Sequence, residues 1–326
     1  MTYFVLLEQR NATLSEVSLD VWNAVQHLAA DAGCAEIYGV VIGDIDDGVV
    51  SSLCYGNGQV YVLRDKAFDR YAPSVYAQAI AELAAETGAE HVFLAATARV
   101  RDLAPRIAMR LGAALVSDCA LKADDQGFPK ATTALYAGSV RAVAHVRTEI
   151  AVYTLGAQAN RSARISSSPV EVRNADAFCP EFSGWNPLLE EVRYFTARRD
   201  ISESDIIVAG GRGVGGRDNF VLLESLAEAL GGVVGASRSA VDEGWRPHAD
   251  QIGQTGKSVA PKLYIACGIS GAVQHLAGIS GAGIVVAINR DREAPIFSAA
   301  DYGVVGTIEE VVPRLDSAVR SFQRLK

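Results

Sequence analysis

Asp205-Ile206-Ile207-Val208-Ala209 runs without a break into Gly210-Gly211-Arg212-Gly213-Val214-Gly215-Gly216, and this stretch decides the fold. The apolar run reads as a short buried strand. The glycines read as a turn where backbone approaches something closely. From Arg217 to Leu230 the spacing predicts a helix, with Phe220, Leu223, Ala227 and Leu230 on one face. Asp218 or Asn219 is expected to cap its start and Gly231-Gly232 to end it. Strand, glycine turn and helix in this order open a nucleotide-binding βαβ unit, and Gly211, Gly213 and Gly216 satisfy the GxGxxG spacing. The expectation is a phosphate cradle at the helix N-terminus, set against the plainer reading of a structural βα turn.

The next strand discriminates among nucleotides. In NAD proteins an Asp or Glu about 20 residues further on holds the adenosine ribose. Here Val233-Val234-Gly235-Ala236 ends in Ser237-Arg238, with no acid at its tip. A cation there disfavours plain NAD and suits a phosphate, as in NADP, or an electron-rich ring. Other strand ends are polar as well. Gln251-Ile252-Gly253-Gln254-Thr255-Gly256-Lys257 offers amides, a hydroxyl and glycines. Leu263–Ala266 is a strand running into Cys267-Gly268-Ile269-Ser270-Gly271, and a helix starting at Ala272 presents Ser270, Gln274 and His275. Gly283–Ile288 is another buried strand and ends at Asn289. Each polar residue alone is more often a cap or turn former. Four such ends in one domain make a site, because ligands of open parallel sheets sit there.

At 326 residues the chain is long enough for two cores. Its net charge of −8 argues against nucleic-acid binding. The cysteines, Cys34, Cys54, Cys119, Cys179 and Cys267, are dispersed and odd in number, so neither a disulfide framework nor a metal cluster is expected. No apolar run reaches the roughly 20 residues of a membrane span, so no membrane insertion is expected. Met1 to Glu8 reads as a first strand and lacks the basic start of a secretion signal, which points to the cytoplasm.

The first half alternates apolar strands with alanine-rich helices. Strands are expected at Tyr3–Leu7, Glu36–Ile42, Gln59–Leu63, His91–Ala95 and Ala114–Ser117, and helices at Leu19–Ala32, Ser74–Thr87 and Val100–Leu111. Such alternation implies right-handed βαβ units and a parallel sheet. Then Thr132–Tyr136, Val140–Val146, Ile150–Thr154 and Val170–Arg173 follow as close-spaced strands without helices, read as an antiparallel extension. A loop from near Ala157 to Pro169, including Ser166-Ser167-Ser168-Pro169, and a linker from Arg198-Arg199-Asp200 to Glu203-Ser204 come next, and 18 of the 30 glycines lie in residues 205–326, which concentrates the close backbone approaches there. The fold class is α/β in two domains: an N-terminal parallel-sheet domain with an antiparallel extension, residues 1–195, and a Rossmann-like domain, residues 196–326. Asp44, Asp46 and Asp47 read as a solvated loop.

The C-terminal motifs together resemble the α subunit of electron transfer flavoprotein. The matching residues are Gly210 to Gly213, Gly235-Ala236-Ser237-Arg238-Ser239-Ala240-Val241-Asp242-Glu243-Gly244, Gln251 to Lys257, Val259-Ala260-Pro261, Tyr264 to Gly278, Ala287 to Asp291, Ala294 to Phe297 and Ala300 to Gly303. The resemblance implies one FAD held by the C-terminal domain, a β subunit completing a heterodimer, and the N-terminal domain as the subunit contact. It implies cofactor contacts from Arg212, Ser237, Arg238, Ile252, Gly253, Gln254, Thr255, Gly268, Ser270, Gly271, Gln274, His275 and Asn289. Arg238 then lies beside the flavin ring, Thr255 near N5 and His275 near the C2 carbonyl. Where many members carry Asp-Leu at the adenosine end, this chain has Thr307. The usual partners are acyl-CoA dehydrogenases, as in fatty acid β-oxidation, and a quinone oxidoreductase.

A flavin that takes one electron without a proton becomes an anionic semiquinone. A guanidinium at Arg238 and a donor at His275 would stabilise that anion. Such a chain carries electrons and transforms no small molecule itself. An NADP-dependent oxidoreductase, or a nucleotide-binding subunit without redox chemistry, are the competing readings.

Overall fold

The structure, a computed structural model, describes residues 1–33, 36–53, 58–135, 140–156, 168–179 and 201–324. Cys34, Cys54, Ser166-Ser167, Arg198-Arg199-Asp200 and the boundary expected at 195–196 lie outside them. Two compact units are present, one built on a nine-stranded sheet and one on a six-stranded sheet.

The first unit contains β1 (Thr2–Leu7), the hairpin β2 (Gln9–Arg10) and β3 (Thr13–Leu14), α1 (Glu16–Asp31), β4 (Glu36–Ile42), α2 (Asp47–Ser51), β5 (Gln59–Leu63) and α3 (Pro73–Glu86). It continues through β6 (His91–Ala95), α4 (Ala98–Leu111), β7 (Ala114–Ala123), β8 (Pro129–Leu135), β9 (Val140–Ala144), β10 (Ala151–Leu155) and β11 (Glu171–Asn174). The sheet order is β11-β5-β4-β1-β6-β10-β7-β8-β9. Tyr3 to Leu7 is an unbroken apolar run because both faces of β1 are covered. Tyr3, Val5 and Leu7 pack with Val21, Trp22 and Val25 of α1, while Phe4 and Leu6 share a core with Ile80 of α3 and Val100 of α4. Asp46 caps α2 through the Gly48 N–H, and Asp47 pairs with Arg64, so the acidic loop is an anchored turn.

One expectation needs correction. The β7–β8 pair is antiparallel as expected. However, β10 runs parallel between β6 and β7, and β11 runs parallel along β5 at the opposite edge. Ala151-Val152-Tyr153-Thr154-Leu155 is buried along its whole length, the mark of a central parallel strand and not of a half-exposed extension.

The second unit contains β12 (Ile206–Gly210), α5 (Phe220–Leu230), β13 (Val233–Ser237), α6 (Arg238–Asp242), β14 (Gln251–Ile252), β15 (Leu263–Cys267), α7 (Val273–Ile279), β16 (Ile284–Asn289), β17 (Tyr302–Val305) and α8 (Ile308–Gln323). All its strand pairs are parallel, in the order β14-β13-β12-β15-β16-β17. Succession moves outward from β12 in one direction and from β15 in the other. The crevice beyond their carboxyl ends is the topological switch point. Phe220, Leu223 and Leu226 of α5 pack with Ile308 and Val312 of α8 over the β12 and β15 side chains Val208 and Ile265. The helix starts at Phe220, later than the expected Arg217. Asn219 occupies the cap position but makes no capping bond, and its side-chain amide donates to the Val214 carbonyl at 2.8 Å instead. Gly231 ends the helix at φ +70°, as expected.

Candidate functional site

A cavity of about 500 Å³ opens at the carboxyl edge of the six-stranded sheet, within the range of small-molecule and cofactor clefts. Residues following five successive strand ends line it. Arg212 and Gly213 follow β12, Ser237, Arg238 and Ser239 close β13, and Gly253, Gln254 and Thr255 follow β14. Gly268, Ser270, Gln274 and His275 come from the β15 turn and α7, and Asn289, Arg290 and Asp291 from the end of β16. Of the predicted residues, Ile252, Gly271 and Thr307 are not in this lining. Ile252 is buried beneath Gly235, Gly271 turns tightly against Ile296, and Thr307 stands at the start of α8. Ser239, Arg290, Asp291, Ala294 and Pro295 line the cavity without having been singled out, although Arg290-Asp291 directly continue the strand end at Asn289.

Four backbone amides of the glycine turn are not available to cradle a phosphate. The Gly211 N–H donates to the Cys267 carbonyl and the Gly213 N–H to the Gly268 carbonyl, both at 2.9 Å. Val214 and Gly215 N–H groups close the turn on Gly211 and Arg212. These amides are engaged within the protein. The glycines let the β12 and β15 turns touch, since a Cβ on Gly211 would stand 2.4 Å from the Gly268 oxygen. Gly216 meets nothing within 4 Å.

The polar lining divides by availability. Arg238 is exposed and ion-pairs with Asp242 at 3.4 Å on its own short helix. Ser237 caps that helix by accepting from the Ala240 N–H at 3.4 Å. Gln251, buried, donates its side-chain amide to Thr255 Oγ1 at 3.0 Å, which leaves the Thr255 hydroxyl hydrogen to point elsewhere. Asn289 is engaged: its amide donates to the Ile269 carbonyl at 2.9 Å and its oxygen accepts from the Asp291 N–H at 3.0 Å.

His275 is 7% exposed, and its Nε2 lies 2.9 Å from the hydroxyl of the fully buried Tyr264. Its Nδ1 is buried without a well-aligned hydrogen bond. Burial pushes the imidazole pKa down to about 4, against a smaller upward effect of the Ile252 backbone, so the ring is neutral at pH 7. The loop carrying Thr255 and the helix carrying His275 are locked together. The Gln254 N–H donates to the Gln274 carbonyl and the Val259 N–H to the Gly278 carbonyl, each at 2.8 Å, and a Cβ on Gly278 would meet Gly253 Cα at 2.5 Å.

Residues 3–177 match the electron transfer flavoprotein domain, and residues 200–280 match the electron transfer flavoprotein FAD-binding domain. The chain belongs to the electron transfer flavoprotein family. It is similar to the electron transfer flavoprotein subunit alpha of Thermoanaerobacterium thermosaccharolyticum, with 39% identity over 325 residues that cover 98% of each chain. It is 37% identical to the subunit alpha of Bacillus subtilis over 313 residues, 95% of each chain. A Clostridium saccharobutylicum protein named FixB is 37% identical over 326 residues, 96% of this chain and 94% of that one. The cavity thus lies in the family's FAD-binding domain, and the chain is an α-type member of an electron-transfer family. The glycine-lined walls at Gly253 and Gly268 and the polar side chains beside them fit a large polar cofactor such as FAD. No helix among the described residues is long and apolar enough to cross a membrane.

Proposed function

We propose that this chain is the FAD-holding subunit of a cytoplasmic electron carrier. It pairs with an electron transfer flavoprotein β subunit, with residues 1–195 as the contact domain and 196–326 as the cofactor domain. It takes electrons from flavoprotein dehydrogenases, such as the acyl-CoA dehydrogenases of fatty acid β-oxidation. It passes them singly to electron transfer flavoprotein:quinone oxidoreductase or another acceptor. One observation carries the reading: a buried, neutral His275 lines the same cavity as an exposed guanidinium and a hydroxyl donor.

Bound FAD would supply one-electron chemistry through the anionic semiquinone expected from the sequence. The protein's own part is electrostatic. Arg238 brings a positive charge to the cavity mouth, Thr255 a hydroxyl donor oriented by Gln251, and His275 a ring nitrogen shielded from water. Arg212, Ser270 and Gln274 line the remaining wall and are assigned to the rest of the cofactor. Co-expression with its β subunit tests the reading. A yellow complex that releases FAD on denaturation, counted per heterodimer, supports it. A colourless complex that binds NADPH, or only adenine nucleotides, overturns it.

A further inference from the structure

We propose that Tyr264 sets the tautomer of His275, a residue of the cavity wall, so that Nδ1 carries the imidazole proton. The argument begins with the hydroxyl of Tyr264. The side chain is fully buried on β15, and among the described residues its hydroxyl makes one hydrogen bond, to His275 Nε2 at 2.9 Å. Burial holds the phenol pKa well above its ordinary value and the imidazole pKa near 4, so both groups are neutral at pH 7. A neutral imidazole has one N–H and one lone pair.

Two arrangements are available, and they differ in what they leave unsatisfied. With the proton on Nε2, histidine donates to the tyrosine oxygen and the buried hydroxyl hydrogen has no acceptor. A stranded buried donor costs about 1–3 kcal/mol. With the proton on Nδ1, the hydroxyl donates to the Nε2 lone pair and the Tyr264 donor is satisfied. The remaining group is then Nδ1–H, buried on a ring that also meets the Ile252 backbone, behind the face that lines the cavity. The hydrogen bond made by one ring nitrogen thus decides what the other can offer. In the opposite tautomer Nδ1 would carry a buried lone pair in place of that N–H, and the ring dipole behind the cavity wall would be reversed. Tyr264 is therefore a positioning residue, acting through His275.

This inference rests on the FAD reading only for its consequence, and the experiment separates the two. The complex with the β subunit is prepared with ¹⁵N-histidine in this chain, and long-range ¹H–¹⁵N spectra report which nitrogen of His275 is protonated, the signal being identified by its loss in His275→Ala. Nδ1–H is expected in the natural protein, and a shift toward Nε2–H in Tyr264→Phe, which keeps the ring and removes the hydroxyl. Nε2–H in the natural protein, or an unchanged tautomer in Tyr264→Phe, overturns the assignment. The measurement stands even where a preparation carries no FAD, so failure of the cofactor reading is recognised separately. In the FAD-loaded complex, Tyr264→Phe is expected to lower the equilibrium constant for uptake of the first electron about tenfold, about 59 mV for a one-electron couple. It is expected to add nothing once His275→Ala is present. Equal shifts in both backgrounds would show an effect of packing alone and overturn the role.

Discussion

Arg238 holds its charge on an exposed side chain whose ion pair with Asp242 is a surface contact, and such pairs contribute about 0.2–1 kcal/mol. The guanidinium is therefore cheap to turn toward an anion in the cavity. Arg238→Ala is expected to keep FAD bound but to lose the long-lived one-electron-reduced anion. Stepwise reductive titration checks this, and an undiminished anionic radical would contradict it. Gln251 acts at the same scale. Its amide occupies the acceptor side of Thr255 Oγ1, so the hydroxyl hydrogen is free for the ligand. Gln251→Leu should weaken FAD binding about tenfold, the equivalent of one buried hydrogen bond of about 1.4 kcal/mol. Thr255→Val should do the same, and the double variant little more. Fluorescence of free FAD at equilibrium reads all three. The polar residue types at the strand ends were legible in the sequence, but the support beneath Thr255 and His275 was not. Gln251 and Tyr264 are four and eleven positions from the groups they serve, on strands whose lateral order decides the contact.

At the scale of elements, the first βα turn matters because two turns share one contact. Gly213 and Gly268 lie backbone to backbone: a Cβ on Gly213 would meet the Gly268 carbonyl at 2.8 Å, and one on Gly268, which has φ +62°, would meet Gly213 at 2.6 Å. Neither neighbour is a side chain that can swing away. Gly213→Ala is expected to cost about 1–3 kcal/mol and to weaken cofactor retention, through forced separation of the two turns. Gly216→Ala, at the last position of the same GxGxxG spacing, should be neutral to slightly stabilising, since that site is open. Thermal unfolding of the two variants side by side checks the contrast. The spacing revealed a strand–turn–helix unit but not what the glycines face, because the facing carbonyl is more than 50 residues away in the chain. A similar blindness affected β10: its continuous apolar run was readable, yet close spacing to its neighbours suggested an antiparallel partner. The parallel pairing is a matter of crossover path, which local pattern does not encode.

For the whole molecule, each unit holds a histidine that desolvation keeps neutral, partly buried His91 in the first and buried His275 in the second. Burial lowers His91 in the first sheet and His275 in the second to a pKa of about 4, against about 6.5 when unfolded. Between those values the unfolded chain binds more protons than the folded one, so stability is lost as pH falls from about 6.5 to about 4. Each contributes on the order of 3 kcal/mol across that window. Glu8 works in the opposite sense, its pKa raised chiefly by burial, so it does not add to the loss. Urea unfolding at pH 7 and pH 5 should show both units weakened together. His91→Phe should abolish the acid-side loss of the first, with only the opposite response of Glu8 remaining there, while leaving that of the second. An equal pH response in the variant would refute the attribution.

The lock between the Thr255 loop and α7 bears on electron movement itself. A carrier's rate depends on how far its surroundings must rearrange when the charge at its centre changes. Here two of the groups assigned to that centre sit on segments clamped through Gly253 and Gly278, with no room for either backbone to yield. Their dipoles are set before the charge arrives, which keeps the protein's share of the outer-sphere reorganisation energy small. The remaining adjustment falls to the exposed Arg238 side chain and the solvent around it.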